Sequence, residues 1–172
     1  MRRAMIALVL SVVFCGGVSA QDTSPIVCEG VVEAPMDSVW GAWTTSGGLR
    51  SWLAPHADID LRVGGLMRTN YDPAGALGDP KTIENAILSF EPKKMLSIKV
   101  TRTPDGFPFP AAIRNMWTVI YFDSLGQDRT RVRIVGLGFE DSEESQKMRD
   151  FFDRGNTVTL RELQSRYAKG GQ

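Results

Sequence analysis

Residues 26–55 read IVCEGVVEAPMDSVWGAWTTSGGLRSWLAP, and the order of signals in this stretch decides the fold. Residues 26–33 form a short run with β-branched side chains, which predicts a strand. Ala34-Pro35 stops it, because proline has no ladder donor and restricts the residue before it. A short helix is expected near 37–43. A second is expected over 46–53, with the Ser46 side-chain oxygen accepting a backbone N–H of the first turn. Pro55 ends that helix.

Downstream of this opening the pattern changes to an antiparallel sheet. Strands are predicted at 57–63, 66–71, 82–90, 95–101, 114–122 and 130–139. Turns fall at Gly64-Gly65, Asp72-Pro73, Glu91-Pro92 and Leu125-Gly126, where glycine supplies positive φ and proline removes a donor. Leu96, Ile98 and Val100 alternate with Ser97 and Lys99, and Val132 lies between Arg131 and Arg133. Such alternation gives a sheet one wet face and one buried face. Residues 142–167 contain no proline, and Met148, Phe152, Thr159, Leu163 and Tyr167 recur at helical spacing. A helix of that length spans about 40 Å. Asp141, Glu143 and Glu144 crowd its start and Arg161 and Arg166 lie toward its end, as the helix dipole favours.

Upstream lies an address. Arg2 and Arg3 precede an almost unbroken apolar run, and Val18-Ser19-Ala20 supplies the small residues of a signal-peptidase site. Residues 1–20 therefore read as a secretory signal peptide cleaved after Ala20, which predicts a periplasmic or secreted protein with no transmembrane segment after cleavage. An uncleaved anchor is the alternative, but the run is short of the roughly 18 to 20 apolar residues that span a bilayer. Lipidation at Cys15 is a lesser one, since Phe14 stands where a small residue is required. Residues 21–172 show no repeat and no linker, and read as a single α+β domain.

Across all 172 residues, 42% are hydrophobic and 23% charged, a composition that excludes a disordered tail. Twenty Lys and Arg balance twenty Asp and Glu. No basic patch is announced of the kind that draws phosphate backbones, so nucleic acid is not an expected partner. His56 is the single histidine, and Cys15 and Cys28 are the two cysteines. These are too few for a histidine metal site or a cysteine zinc cage, and no metal or cofactor is expected. After cleavage only Cys28 remains, so stability must come from a core, in which Cys28 is read as a buried, inert thiol.

The element order is similar to the helix-grip fold of START-type domains, the SRPBCC or birch-pollen-allergen-like superfamily. In that fold a curved antiparallel sheet wraps around a long C-terminal helix. The residues Ala34-Pro35-Met36-Asp37-Ser38-Val39-Trp40, then Trp43-Thr44-Thr45, then Leu49-Arg50-Ser51-Trp52-Leu53-Ala54-Pro55 resemble the opening of one branch. That branch is named after the activator of heat-shock-protein-90 ATPase, and Arg62-Val63-Gly64-Gly65 fits it too. Ser46-Gly47-Gly48 departs from the branch's more common Pro-acid turn, and the export signal is a second departure. The resemblance implies a domain whose relatives include ligand carriers, co-chaperones and cyclases. Fold likeness alone does not choose among them.

A sheet wrapped on a helix can enclose a cavity, and the residues expected to touch a small apolar or amphipathic ligand are Trp117, Tyr121, Phe107, Phe109, Met148, Phe152 and Asn156. Gly155 and Asn156 interrupt an apolar helical stripe. A mid-helix glycine costs about 1 kcal/mol relative to alanine, so close approach of a strand or ligand is expected there. Asn156 either bonds a sheet carbonyl or orients a ligand. Phe107 and Phe109 sit in a proline-stiffened loop that is expected to close the cavity mouth. Trp117 and Tyr121 share strand parity and face one side together, inward or outward.

No catalytic residue is assigned. Ser51, His56 and Asp58 have the residue types of a triad without a nucleophile elbow. Gly64-Gly65 is a hairpin turn rather than a phosphate loop, and residues 140–144 are a helix start rather than a calcium loop. Arg68, Arg102 and Arg114 would clamp an anion only if they converged. A protein partner at the phenylalanine loop or the outer sheet face, or a cyclase or hydrolase activity, are the alternatives to ligand binding.

Overall fold

The computed structural model describes residues 22–168. The signal-peptide reading of residues 1–20 lies outside them. Strand β1 (Ile26–Val32) leads into helices α1 (Met36–Thr44) and α2 (Ser46–Arg50). Strands β2 (His56–Ile59), β3 (Leu66–Asn70), β4 (Ile83–Glu91), β5 (Met95–Arg102), β6 (Trp117–Ser124) and β7 (Thr130–Leu137) follow, and helix α3 (Glu143–Tyr167) comes last. All pairings are antiparallel, in the order β1-β7-β6-β5-β4-β3-β2. Consecutive hairpins account for β2 to β7, and β1 closes the far edge against β7. The sheet curls into a half-barrel around α3, an α+β helix-grip arrangement as expected.

Local chemistry moves three predicted boundaries. The cap of α2 is Thr45, whose Oγ1 accepts the Gly48 N–H at 3.0 Å. Ser46 instead accepts the Ile59 N–H at 3.1 Å, tying α2 to β2. Strand β2 ends at Ile59 rather than at residue 63, because the chain turns: Arg62 N–H donates to Asp60 O and Gly65 N–H to Arg62 O, each at 2.8 Å. Strand β6 starts at Trp117 rather than at residue 114, which closes a 3-10 turn over Ala112–Arg114. The Arg114, Asn115 and Met116 amides each reach back three residues to a carbonyl, and so are lost to the ladder.

The core has two parts. The larger unites Val32, Trp43, Leu49, Leu96, Ile120, Phe122, Val132, Ile134, Leu160 and Leu163. The smaller gathers Ile26, Ile113, Met116, Phe139 and Met148 at the other end of the helix. Helix α3 starts on Ser142, whose hydroxyl oxygen accepts the Ser145 N–H at 3.2 Å. Near its end the Tyr167 hydroxyl donates to Ser38 O at 2.9 Å, which ties α3 to α1. Close to β1 the approach is tight. A Cβ on Gly30 would stand 2.9 Å from Gln164 Nε2 and 3.0 Å from Leu160 Cδ2. Glycine there lets the helix lie on the strand.

Candidate functional site

Between its two anchored ends α3 stands off the sheet. Its buried residues are Ser145, Met148, Leu160 and Leu163, with none from 149 to 159. A cavity of about 250 Å³ occupies that gap, with Phe152, Asn156 and Thr159 forming its helical wall. The opposite wall is the inner face of the sheet. Strand register aligns Met67 with Asn85, Thr69 with Ile83, Asn85 with Val100, and Ile98 with Thr118. All of these line the cavity together with Ile120 and Ile134. Trp43 and Leu53, from α1 and the segment after α2, close a third side.

Phe107, Thr103 and Pro104 of the β5–β6 connection line the cavity as well. Four phenylalanine rings pack edge to face there: Phe107 with Phe109 at 5.6 Å, both with Phe151 at 6.1 and 5.7 Å, and Phe151 with Phe152 at 5.4 Å. Such pairs stabilise beyond their buried area. The two loop rings, Phe107 and Phe109, turn in toward the helix and the smaller core while Phe151 stays exposed at the rim, which counts against the loop as a docking surface. Glu144 fastens the loop's end to α3 by accepting the Ala111 and Ala112 amides at 2.9 and 3.2 Å.

A second loop, residues 71–82, is tied to the first. Asp105 N–H donates to Pro80 O and Arg102 Nη2 to Asp79 O, each at 2.9 Å. The Asp79 carboxylate holds this second loop together by accepting the Ala76 and Lys81 amides and Asn70 Nδ2, at 2.9, 2.9 and 2.8 Å. The Ala76 amide first, then the Lys81 amide and the Asn70 and Thr82 side chains, hold its pKa below the ordinary value against some desolvation. Tyr71 begins the loop and lines the cavity. Its side chain is exposed on one flank, while desolvation raises the phenol pKa and the Thr69 hydroxyl opposes the rise.

The walls are mainly apolar, and Tyr71 is the one titratable side chain among the described lining residues. Two lining residues carry a buried donor without a partner: Trp43 Nε1 and Asn156 Nδ2. The contrast with Trp52 is direct. The Trp43 and Trp52 rings meet edge to face at 4.9 Å, yet Trp52 Nε1 donates to Ala42 O at 3.0 Å and Trp43 Nε1 finds no partner. Leaving a buried donor unpaired costs about 1–3 kcal/mol. A third such atom, Arg149 Nε, lies away from the cavity on a side chain that pairs with Asp22 at 2.8 Å.

Of the seven residues expected at a ligand site, Trp117, Phe107, Phe152 and Asn156 line the cavity. Phe109 packs behind Phe107 and Phe151 without lining it. Met148 is fully buried in the smaller core. Tyr121 is on the opposite face of the sheet: Ile120 and Phe122 point into the core, so period-two alternation sends Tyr121 outward, where the Arg133 guanidinium covers its ring at 4.7 Å. Trp117 has the same parity but opens its strand beside the 3-10 turn, and so borders the cavity.

Asn156 does not bond a sheet carbonyl. Gly155 answers no close approach, since a Cβ there would meet nothing within 4 Å. Trp43, Thr69, Tyr71, Asn85 and Phe151 were not expected at the site. Asn85 had a legible signal, a polar residue at the inward parity between Ile83 and Ile87.

The other candidates disperse. Ser51 Oγ bonds Gly48 O, the Asp58 carboxylate pairs with Arg68, and His56 Nε2 lies 3.3 Å from Pro73 O, so no triad forms. Arg68 and Arg102 flank Glu84 on the outer face, each against an acid, while Arg114 is exposed on the 3-10 turn. Among the described residues no three His, Cys, Asp or Glu cluster as a metal site would require, and no helix is long and apolar enough to cross a membrane.

Comparison with known proteins agrees with this architecture. The Aha1 dimer from Colwellia psychrerythraea superposes with a TM-score of 0.65 at 15% identity, over 87% of this chain and 99% of that one. Protein MLL2253 from Mesorhizobium loti gives 0.66 at 17% identity, over 87% and 100%. CalU16 from Micromonospora echinospora gives 0.57 at 23%, over 81% and 71%. At these identities the likeness is one of fold. No curated protein matches in sequence. Residues 33–168 match the family described as Activator of Hsp90 ATPase homolog 1-like protein. With both opening helices, six of the seven strands and the gripping helix inside that match, and β1 just ahead of it, the chain belongs to this family, within the SRPBCC superfamily.

Proposed function

We propose that this protein is an exported carrier that holds a small apolar or amphipathic molecule between the sheet and α3. The observation that supports the reading is the 250 Å³ cavity, walled by inner-face residues of β3 to β7 and by the stretch of α3 that holds no fully buried residue. A gap of this size between two well-anchored helix ends has the character of a binding site, apolar with a few placed polar groups. A carrier role fits better than catalysis, since no acid and base stand together among the lining residues. Export rests on the basic start, apolar run and Val18-Ser19-Ala20 of the leader.

Native mass spectrometry of the protein recovered from the exported fraction of its own host tests both halves. The expected protein begins at Gln21 and carries an added small mass that disappears on denaturation. A protein absent from the exported fraction and found with Met1 in the cytoplasmic one would overturn export, and a bare mass that no apolar probe increases would overturn the carrier reading.

A further inference from the structure

We infer that Asn85 orients the ligand, its carboxamide binding a hydroxyl group of the held molecule. The inference rests on the carrier reading and goes on to name a recognition group within it. Asn85 is 8% exposed and lies on the inner face of β4, where Ile83 and Ile87 flank it along the strand. Met67 faces it from β3 and Val100 from β5. All four are apolar, so none offers its side chain a partner. Among the described residues no protein group bonds the Asn85 carboxamide, yet the group stays open to the cavity that Asn85 lines. Trp43 Nε1 and Asn156 Nδ2 differ in this respect, being unpaired but sealed off by the atoms packed on them.

Taking an amide out of bulk water without a partner is unfavourable, and the inward parity of β4 otherwise selects isoleucine. A bound molecule that completes the carboxamide accounts for the exception. A carboxamide both donates and accepts, and so does a hydroxyl, which can therefore satisfy either end of it. A carboxylate only accepts. At the depth of Asn85 it would oppose Oδ1, with no cation among the described lining residues to balance it. Tyr71 and Phe151 stand exposed at the rim and leave the rest of the ligand free in charge and length. The hydroxyl thus lies against the sheet, with the body of the ligand toward the rim.

Calorimetry of the protein at pH 7 with naphthalene, 2-naphthol and 2-naphthoate tests this, because the three share one ring system and differ in the group it carries. We expect 2-naphthol to bind about tenfold tighter than naphthalene, as for one well-made buried hydrogen bond. Asn85→Leu should remove that preference, keep naphthalene binding, and hold or raise Tm, since an unpaired amide gives way to an apolar chain. Asn85→Ala carries the test if the Leu variant does not fold. Equal binding of naphthalene and 2-naphthol by the unaltered protein, or a preference that survives both substitutions, would overturn the role of Asn85 and leave the carrier reading intact. A loss of 2-naphthoate binding on substitution as large as that of 2-naphthol would overturn the hydroxyl in favour of an anion. Binding of none of the three would overturn both readings.

Discussion

Toward its C-terminal end α3 sets Leu160 and Leu163 into the larger core, while its middle turns Phe152, Asn156 and Thr159 toward an unfilled space. The same helix thus serves as clamp and as wall. At the clamp the sequence is that of an amphipathic helix, large aliphatic residues against β1, with Gln164 Nε2 donating to Val31 O at 2.9 Å. At the wall a half-buried ring, an unpaired carboxamide and a threonine replace them. Stability and binding capacity occupy different turns of one element, so substitutions can separate them.

The comparison breaks most severely if Leu163 is shortened. Leu163→Ala removes a fully buried side chain and should destabilise the fold by about 2–5 kcal/mol, read from denaturant unfolding. A loss below 1 kcal/mol would mean that this end is no clamp. Phe152→Ala, in the wall, should cost less, about 1–2 kcal/mol, because the ring is only half buried and already borders a void. That variant should also accept larger apolar probes. A cost equal to that of Leu163→Ala would erase the distinction.

Gly155→Ala sharpens it from the opposite direction. The new methyl meets open space, so the gain in helix propensity should raise stability by up to about 1 kcal/mol, seen as a higher Tm. The smallest effect is local and depends on pH. Asp79 has a lowered folded pKa, so its contribution to holding loop 71–82 is complete above its unfolded value near 3.8 and is lost as pH falls through the lower folded value. Amide resonances of Ala76 and Lys81 should move in that acid range while those of Leu160 and Leu163 stay fixed. Asp79→Asn should abolish the movement.

Much of this fold was legible in the chain because short-range chemistry dictates it. Pro35 separates β1 from α1, alternation marks the inner strand positions, and the proline-free run with acids first and bases last marks α3. Boundaries shifted where a side chain had two possible partners. Ser46 reads as a cap but bonds across to β2, leaving Thr45 to cap α2. The site was legible only in part. Helical spacing placed Phe152 and Asn156 on the cavity side, but parity in β6 has two solutions, and only the packing of Ile120 and Phe122 into the larger core chose the one that sends Tyr121 outward.

What the sequence by itself determined is the order and kind of the helices and strands, because capping, turn chemistry and hydrophobic period act within a few residues. What only the tertiary structure decided is the cavity. Whether facing walls meet depends on how far the two anchored ends of α3 hold its middle from the sheet, and that distance is a sum over contacts remote in the chain. The same holds for the donors. Trp43 and Trp52 are equivalent as letters, and only the packed structure provides Ala42 O for one N–H and nothing for the other.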